Sequence, residues 1–271
     1  MKELIVLGTG NAQAIHCYNT CFALKEEEEY FLVDAGGGNG ILSALEKADI
    51  PLEQIHHIFV THAHSDHILG VVWMIRMIGT RMNQKEYQGT LTIYCHRELV
   101  DTIKTLAELT VSKKFTRFLD DRILFRIIEN GETLSILDNS FTFFDICSTK
   151  EKQFGFSLRT KEGIKVAFPG DEPLRDYLLP YTKNADWLLH EAFCLYGQRD
   201  IFKPYEKHHS TVKDVCQLAE QLHIPHLVLW HTEDKSILDR KEKYTAEGRE
   251  YYSGELLVPE DGEVLFLGKN T

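Results

Sequence analysis

No apolar run in the 271 residues approaches the roughly 18 to 20 that a membrane helix requires. The six cysteines, Cys17, Cys21, Cys95, Cys147, Cys194 and Cys216, show no C-x-x-C spacing. The opening "MKELIVLGTG" lacks both the apolar length and the small-residue cleavage site of a secretory leader. These absences give the expectation of a soluble, cytoplasmic protein with free thiols. Positive charge is also scarce: 30 Lys and Arg stand against 41 Asp and Glu, a net charge of −11. Such a surface repels a polyanion as a whole, so nucleic acid would need a local basic patch. No linker or low-complexity tract divides the chain, and residues 1–271 read as one domain. "GTGNA" has Gln13 where a dinucleotide fingerprint needs its third glycine, and reads as a tight turn.

What is present is globular in composition, 43% hydrophobic and 26% charged. The first seventy residues alternate as strands "ELIVLG", "CFALK" and "YFLVDA", a helix "GILSALEKADI" and a strand "HIFVTH", with "EEEE" at 26–29 as a hairpin tip. Helices are expected at about 70–83 and 96–109, with the strand "LTIYC" between them. The segment 111–122 is the least regular and the place for a lid or specificity insert. From Arg122 the strands "ILFRII", "SFTFFDIC", "FGFSLRT" and "IKVAFPGD" follow, then "DWLLHEAF", the helix "TVKDVCQLAEQL" and the strand "HLVLWH". Two packed sheets with helices outside satisfy this order.

The chemistry concentrates in "THAHSDHILG", with three histidines and an aspartate between His62 and His67. In an extended segment residues two apart project the same way, so His62, His64 and Asp66 can share a side while His67 points elsewhere. One short loop can then serve two adjacent metals. Imidazole and carboxylate suit zinc, manganese or iron, and the loop alone does not choose among them. His16, His56, His57, His96, His223 and His226 read as ordinary surface or core residues.

H-A-H-S-D-H is the signature of metallo-β-lactamase-fold hydrolases, and the resemblance runs over most of the chain. "LGTGNA", "YNT" and "FLVDAGGG" resemble the opening strands and turns of that fold; "FPGD" resembles the segment whose aspartate bridges two metals, and "LVLWHTED" the last strand with its histidine ligand. "LLHEAF" and "HHSTVKDV" resemble elements of the ribonuclease Z branch, in which a glutamate orients a histidine near the scissile phosphate. The implied fold is α/β, a metallo-β-lactamase-like αββα sandwich of two packed mixed β-sheets with helices on the outer faces. The implied cofactors are two divalent ions, zinc first, with manganese or iron as alternatives. His62, His64 and Asp171 would hold one ion; Asp66, His67, His231 and the shared Asp171 would hold the other. Asp34 would support these ligands from behind. Asp66, Glu191 and His209 would be catalytic, with Glu191 orienting His209 as general acid or phosphate contact. Glu191 can instead simply end a strand, and Ser210 or Thr211 can N-cap the next helix.

Two departures from the family qualify this expectation. Between "FGFSLRT" and "VAFPGD" only "KEGIK" intervenes, which leaves no room for the protruding arm that grips tRNA. Also, no histidine stands between Leu134 and Phe168, where the family has a metal ligand; Cys147 lies there and is the expected substitute, with water, Ser148 or Thr149 as the alternatives. The expected activity is therefore a dinuclear, ribonuclease Z-like hydrolase, a phosphodiesterase acting on a small-molecule or short phosphoester. tRNA 3′ processing, a thiolesterase or lactonase, and a metal-binding sensor without turnover are the alternatives, no membrane is involved, and a homodimer is open.

Overall fold

The computed structural model describes residues 1–268. In chain order the strands are β1 (Glu3–Gly8), β2 (Cys21–Glu26), β3 (Glu29–Val33), β4 (Ile55–Phe59), β5 (Leu91–Cys95), β6 (Ile123–Ile127), β7 (Thr133–Ile136), β8 (Asn139–Asp145), β9 (Phe154–Arg159), β10 (Lys165–Phe168), β11 (Trp187–Glu191), β12 (His226–Trp230), β13 (Glu255–Leu257) and β14 (Val264–Phe266). The α-helices are α1 (Gly40–Lys47), α2 (Ser65–Gln84), α3 (Arg97–Thr110), α4 (Lys113–Thr116), α5 (Leu179–Thr182), α6 (Arg199–Phe202), α7 (Val212–Gln221) and α8 (Arg240–Arg249). Among the described residues no helix is long and apolar enough to cross a membrane.

The chain divides into two compact units, the first comprising Met1–Gly8, Tyr18–Glu129 and Asp261–Phe266, the second the remainder. The first unit holds a seven-stranded sheet in the order β14-β1-β2-β3-β4-β5-β6. Its β14-β1-β2-β3 half is antiparallel and its β3-β4-β5-β6 half parallel. Parallel neighbours need long crossovers, and α1, α2 and α3 supply them. In α2 the apolar residues Ile68, Val71, Ile75, Ile78 and Met82 recur at helical spacing and are all buried. They join Leu32, Ile58, Ile93 and Ile103 in one core, where each large aliphatic side chain contributes roughly 1.5–3 kcal/mol over exposure.

The second unit carries a sheet in the order β13-β12-β11-β10-β9-β8-β7. Here β10 to β13 run parallel, and β7 to β10 antiparallel. Helices α7 and α8 make the crossovers, and Val215, Ala219, Leu227 and Tyr244 pack in its core. Helix α7 opens on a capping box, in which Thr211 accepts from the Asp214 N–H and Asp214 accepts from the Thr211 N–H.

Three sequence expectations change here. Helix α2 begins at Ser65 rather than near Gly70, so Asp66 and His67 lie in its first turn and not in an extended segment. Strand β8 ends at Asp145, which leaves Cys147 in a loop. The strands β7, β13 and β14 and helix α8 were not anticipated. The turn between β9 and β10 is short, with Gly163 at φ +82° and Thr160 N–H bonded to Ile164 C=O at 2.9 Å.

Candidate metal centre

In the first unit the donor-rich loop leaves β4 and becomes helix α2 at His64, the N-cap residue. Behind it stands Asp34, buried and in the left-handed region at φ 55° just after β3. Its Oδ1 accepts the Thr61 N–H at 2.8 Å, and its Oδ2 accepts the Thr61 hydroxyl at 2.8 Å and His67 Nδ1 at 2.7 Å. The expectation that Asp34 supports the loop thus has a concrete geometry. A proton held on His67 Nδ1 leaves the Nε2 lone pair directed elsewhere, the tautomer that a metal ligand requires.

The other donors crowd together on the same loop. His62 Nε2 lies 2.8 Å from His64 Nδ1, and His67 Nε2 lies 3.3 Å from Asp66 Oδ2. Burial opposes the charged form of His67, yet Asp66 and Asp34 outweigh it and hold the imidazole well above its ordinary pKa. A cation bound on Nε2 would displace that proton and take over the compensation of both carboxylates. Buried imidazoles and carboxylates gathered in this way fit a divalent metal.

The loop is fastened by close backbone approach. Ala35 N–H donates to His67 C=O at 3.2 Å and Gly70 N–H to Gly36 C=O at 2.8 Å, so the first turns of α2 are laced to the turn after Asp34. A Cβ on Gly70 would stand 1.7 Å from Ala35 O, and only glycine permits the approach. The Tyr18 hydroxyl shapes the same turn, donating to Ala35 O at 2.9 Å and Gly38 O at 2.8 Å.

The second unit places Asp171 after β10 on the Pro169-Gly170 turn, with Gly170 at φ +89°. Asp171 Oδ2 lies 3.6 Å from Nε2 of His231, which follows β12 in the left-handed region at φ 55°. Both residues are buried. On β11, His190 and Glu191 point to separate tasks. His190 Nε2 accepts the Leu174 N–H at 3.2 Å while Nδ1 donates to Glu191 C=O at 2.7 Å, and burial lowers its pKa, so the ring is a neutral strut. Glu191 Oε1 accepts the Ser210 N–H at 2.6 Å, and its Oε2 faces His209 Nδ1 at 3.5 Å. His209 stacks on Phe193 with ring centroids 4.9 Å apart and lies 5.3 Å from the His231 ring. Burial disfavours its imidazolium, but Glu191 overcomes this and raises the pKa. The expected cap is present as well: Thr211 N-caps α7 immediately after the pair.

Cys147 is exposed, with φ 51° and its Sγ 3.9 Å from its own loop's Asp145 C=O. The structure does not bring it to Asp171. Asp171 instead meets Gln153, a buried residue that sequence reasoning passed over, whose Nε2 donates to Asp171 Oδ1. The histidine-free stretch before "FGF" was the available signal. Of the buried thiols, Cys95, Cys194 and Cys216 are pushed up to about 12 by burial and are inert packing residues.

The sequence profile of the anti-Pycsar protein Apyc1 family matches residues 2–248. The chain belongs to the anti-Pycsar protein Apyc1 family. This Apyc1-family chain is also 24% identical to a ribonuclease Z of Thermococcus sibiricus over 318 aligned positions, covering 99% of this chain and 97% of the relative. Among solved structures it is similar to the metallo-β-lactamase-fold protein YhfI from Bacillus subtilis, with TM-score 0.80, 18% identity, and coverage of 98% of this chain and 99% of that one. A diphosphatase from the PhnP family gives TM-score 0.76 at 16% identity, covering 98% of this chain and 97% of that one. The solved neighbours show the metallo-β-lactamase fold that the motifs imply, and the similarity to ribonuclease Z proteins runs over nearly the whole chain.

Proposed function

We propose that this chain is a ribonuclease Z-like, metal-dependent hydrolase that cleaves small phosphodiesters. The family is named for proteins that oppose Pycsar, and we propose the same role here, exercised through that hydrolysis. The observation that carries the reading is the Glu191–His209 pair, a buried imidazole stacked on Phe193 with its Nδ1 turned to a carboxylate. On the first unit His62, His64, Asp66 and His67, and on the second Asp171 and His231, are the side chains that would ligate divalent metal, two ions with zinc first. When bound, such ions supply Lewis acidity toward a phosphoryl oxygen and lower the pKa of water.

The chain's own residues do the rest. Asp34 holds the tautomer of His67. Glu191 faces His209 Nδ1 and favours the imidazolium, whose Nε2–H would be the proton for the departing oxygen. His190 ties down the segment after Asp171 through the Leu174 N–H. The net charge of −11 and the short β9–β10 turn favour a small diester over tRNA. All six cysteines are free, which suits a reducing cytoplasm.

The test is metal analysis of purified protein alongside turnover of bis-p-nitrophenyl phosphate, a cyclic mononucleotide and a 3′-extended tRNA. Bound metal with cleavage of the small diesters is the expected result. Efficient trimming of the tRNA would move the assignment to 3′ processing, and metal without turnover of any ester would make the chain a sensor.

A further inference from the structure

The second unit also carries a polar cavity of about 290 Å³. One face of its sheet forms the floor, with Ser140 and Thr142 from β8, Ser157 and Arg159 from β9 and Lys165 from β10. Residues two apart on a strand share a face, and the register sets Arg159 between Ser140 and Lys165, and Thr142 opposite Ser157. Tyr181 of α5, stacked on Phe144 with ring centroids 4.4 Å apart, supplies a wall. The cavity lies at the start of β10, whereas Asp171 follows the end of that strand.

A polar outer face is ordinary for antiparallel strands. Two cations in direct cross-strand register are not, because like charges opposite one another destabilise a sheet. Among the described residues neither Arg159 nor Lys165 forms an ion pair. Arg159 reaches the Gly163 C=O at 3.5 Å, and Lys165 Nζ donates to the Lys183 C=O at 2.6 Å. The Asp186 carboxylate accepts the backbone N–H of Lys165 at 2.7 Å. Burial and the Arg159 charge hold the Lys165 pKa below its ordinary value, against the opposing pull of Asp186. The hydroxyls of Ser140 and Ser157 have no hydrogen-bond partner among the described residues. Unmatched positive charges and hydroxyl donors gathered in one small cavity suit an anion, and a guanidinium fork matches phosphate bidentately.

We propose that this cavity binds a phosphate dianion, free or as a monoester, at a site separate from Asp171 and His231. Its two cations match the two charges of a monoester, whereas a diester carries one. Hydrolysis of a diester yields such a monoester, so on the metallohydrolase reading the cavity takes the class of product that the reaction releases. The site itself does not depend on that reading.

The experiment is isothermal titration calorimetry of the purified protein at about pH 8, where a monoester is doubly charged, with inorganic phosphate and with phenyl phosphate. Phosphate held by a metal ion persists in variants of the cavity, so the comparison isolates the cavity. Arg159→Gln should weaken binding at least about tenfold, the scale of one charge-assisted hydrogen bond. Arg159→Gln combined with Lys165→Gln should remove it, and His209→Ala should leave it unchanged. Arg159 is exposed, so its single replacement keeps the test decisive if circular dichroism shows the double variant unfolded. Tighter binding of phenyl phosphate would make the ligand a monoester resting on Tyr181; equal or weaker binding would make it free phosphate. Affinity unchanged in the cavity variants, or no phosphate binding by wild type, would overturn the proposal and leave the metallohydrolase reading standing.

Discussion

Asp34 Oδ2 and His67 Nδ1 meet at 2.7 Å, between the end of β3 and the first turn of α2. That bond fixes which nitrogen of His67 can meet a metal. Asp34→Asn tolerates the left-handed backbone at this position, but presents either an amide donor or a neutral oxygen to the ring. Metal affinity should fall roughly 10- to 100-fold, with the fold retained. Competition with a fluorescent chelator and a thermal melt check both halves of this expectation, and unchanged affinity would show that the carboxylate does not tune the ligand.

Gly70→Ala tests the lacing between α2 and the Asp34 turn. The new methyl would stand 1.7 Å from Ala35 O, which is backbone and cannot swing aside. Displacing it should destabilise the protein by about 1–3 kcal/mol, the usual scale for overpacking, and shift His67 enough to weaken metal binding. Gly38→Ala is the control, because a Cβ there meets nothing within 4 Å. Denaturant titrations of both variants give the comparison, and equal stabilities would remove the argument.

His209→Ala should lower turnover of a small phosphodiester by roughly two to four orders of magnitude, the scale for losing a general acid, and leave metal content unchanged. Glu191→Gln should act in the same direction and more weakly, since an amide oxygen can still accept the Ser210 N–H while losing the charge that faces His209. Loss of metal in His209→Ala would instead make this histidine a ligand.

Much of this arrangement was legible in the residues themselves. H-A-H-S-D-H, the aspartate after β10 and the histidine after β12 are chemistry-bearing residues at strand ends, where local pattern and function coincide. The start of α2 was not legible, because Ser65, Asp66 and His67 precede the first apolar residue of the helical stripe and periodicity reports only the buried face. Helix α8 hid for a related reason: "RKEKYTAEGR" is polar nearly all round, with Tyr244 and Gly248 as its inward anchors. Its first residue, Arg240, is buried and donates to the Thr9 hydroxyl at 3.0 Å, the Thr232 hydroxyl at 2.8 Å and Pro259 C=O at 2.9 Å. Nothing in the local sequence marks an arginine as interior when its partners lie 8, 19 and 231 residues away. Gln153 escaped notice on the same ground, since a glutamine acquires meaning only from the carboxylate that it meets.

The pH dependence of stability should carry the signature of His57, on β4. Its ring is half-buried, Nδ1 lies 3.0 Å from the Tyr94 hydroxyl, and burial, assisted by repulsion from His56, lowers its pKa from 6.5 to about 4. The neutral ring is therefore the folded state's preference, while the unfolded chain takes up a proton near pH 6.5. Between these values the unfolded state binds more protons than the folded one, so stability rises with pH across the window and is lost as pH falls from about 6.5 towards about 4. The gap bounds the effect at about 3 kcal/mol, and the ring's partial exposure brings it to about 1–2 kcal/mol. Other groups titrate in the same range, so the measurement is a difference: urea unfolding of wild type and His57→Gln at pH 7.5 and pH 4.5. Glutamine can still bond the Tyr94 hydroxyl and has no proton to gain. The stability of wild type relative to the variant should fall by about 1–2 kcal/mol between the two pH values. A difference that does not change with pH would mean that His57 titrates alike in the folded and unfolded chain, and that its burial costs the imidazolium nothing.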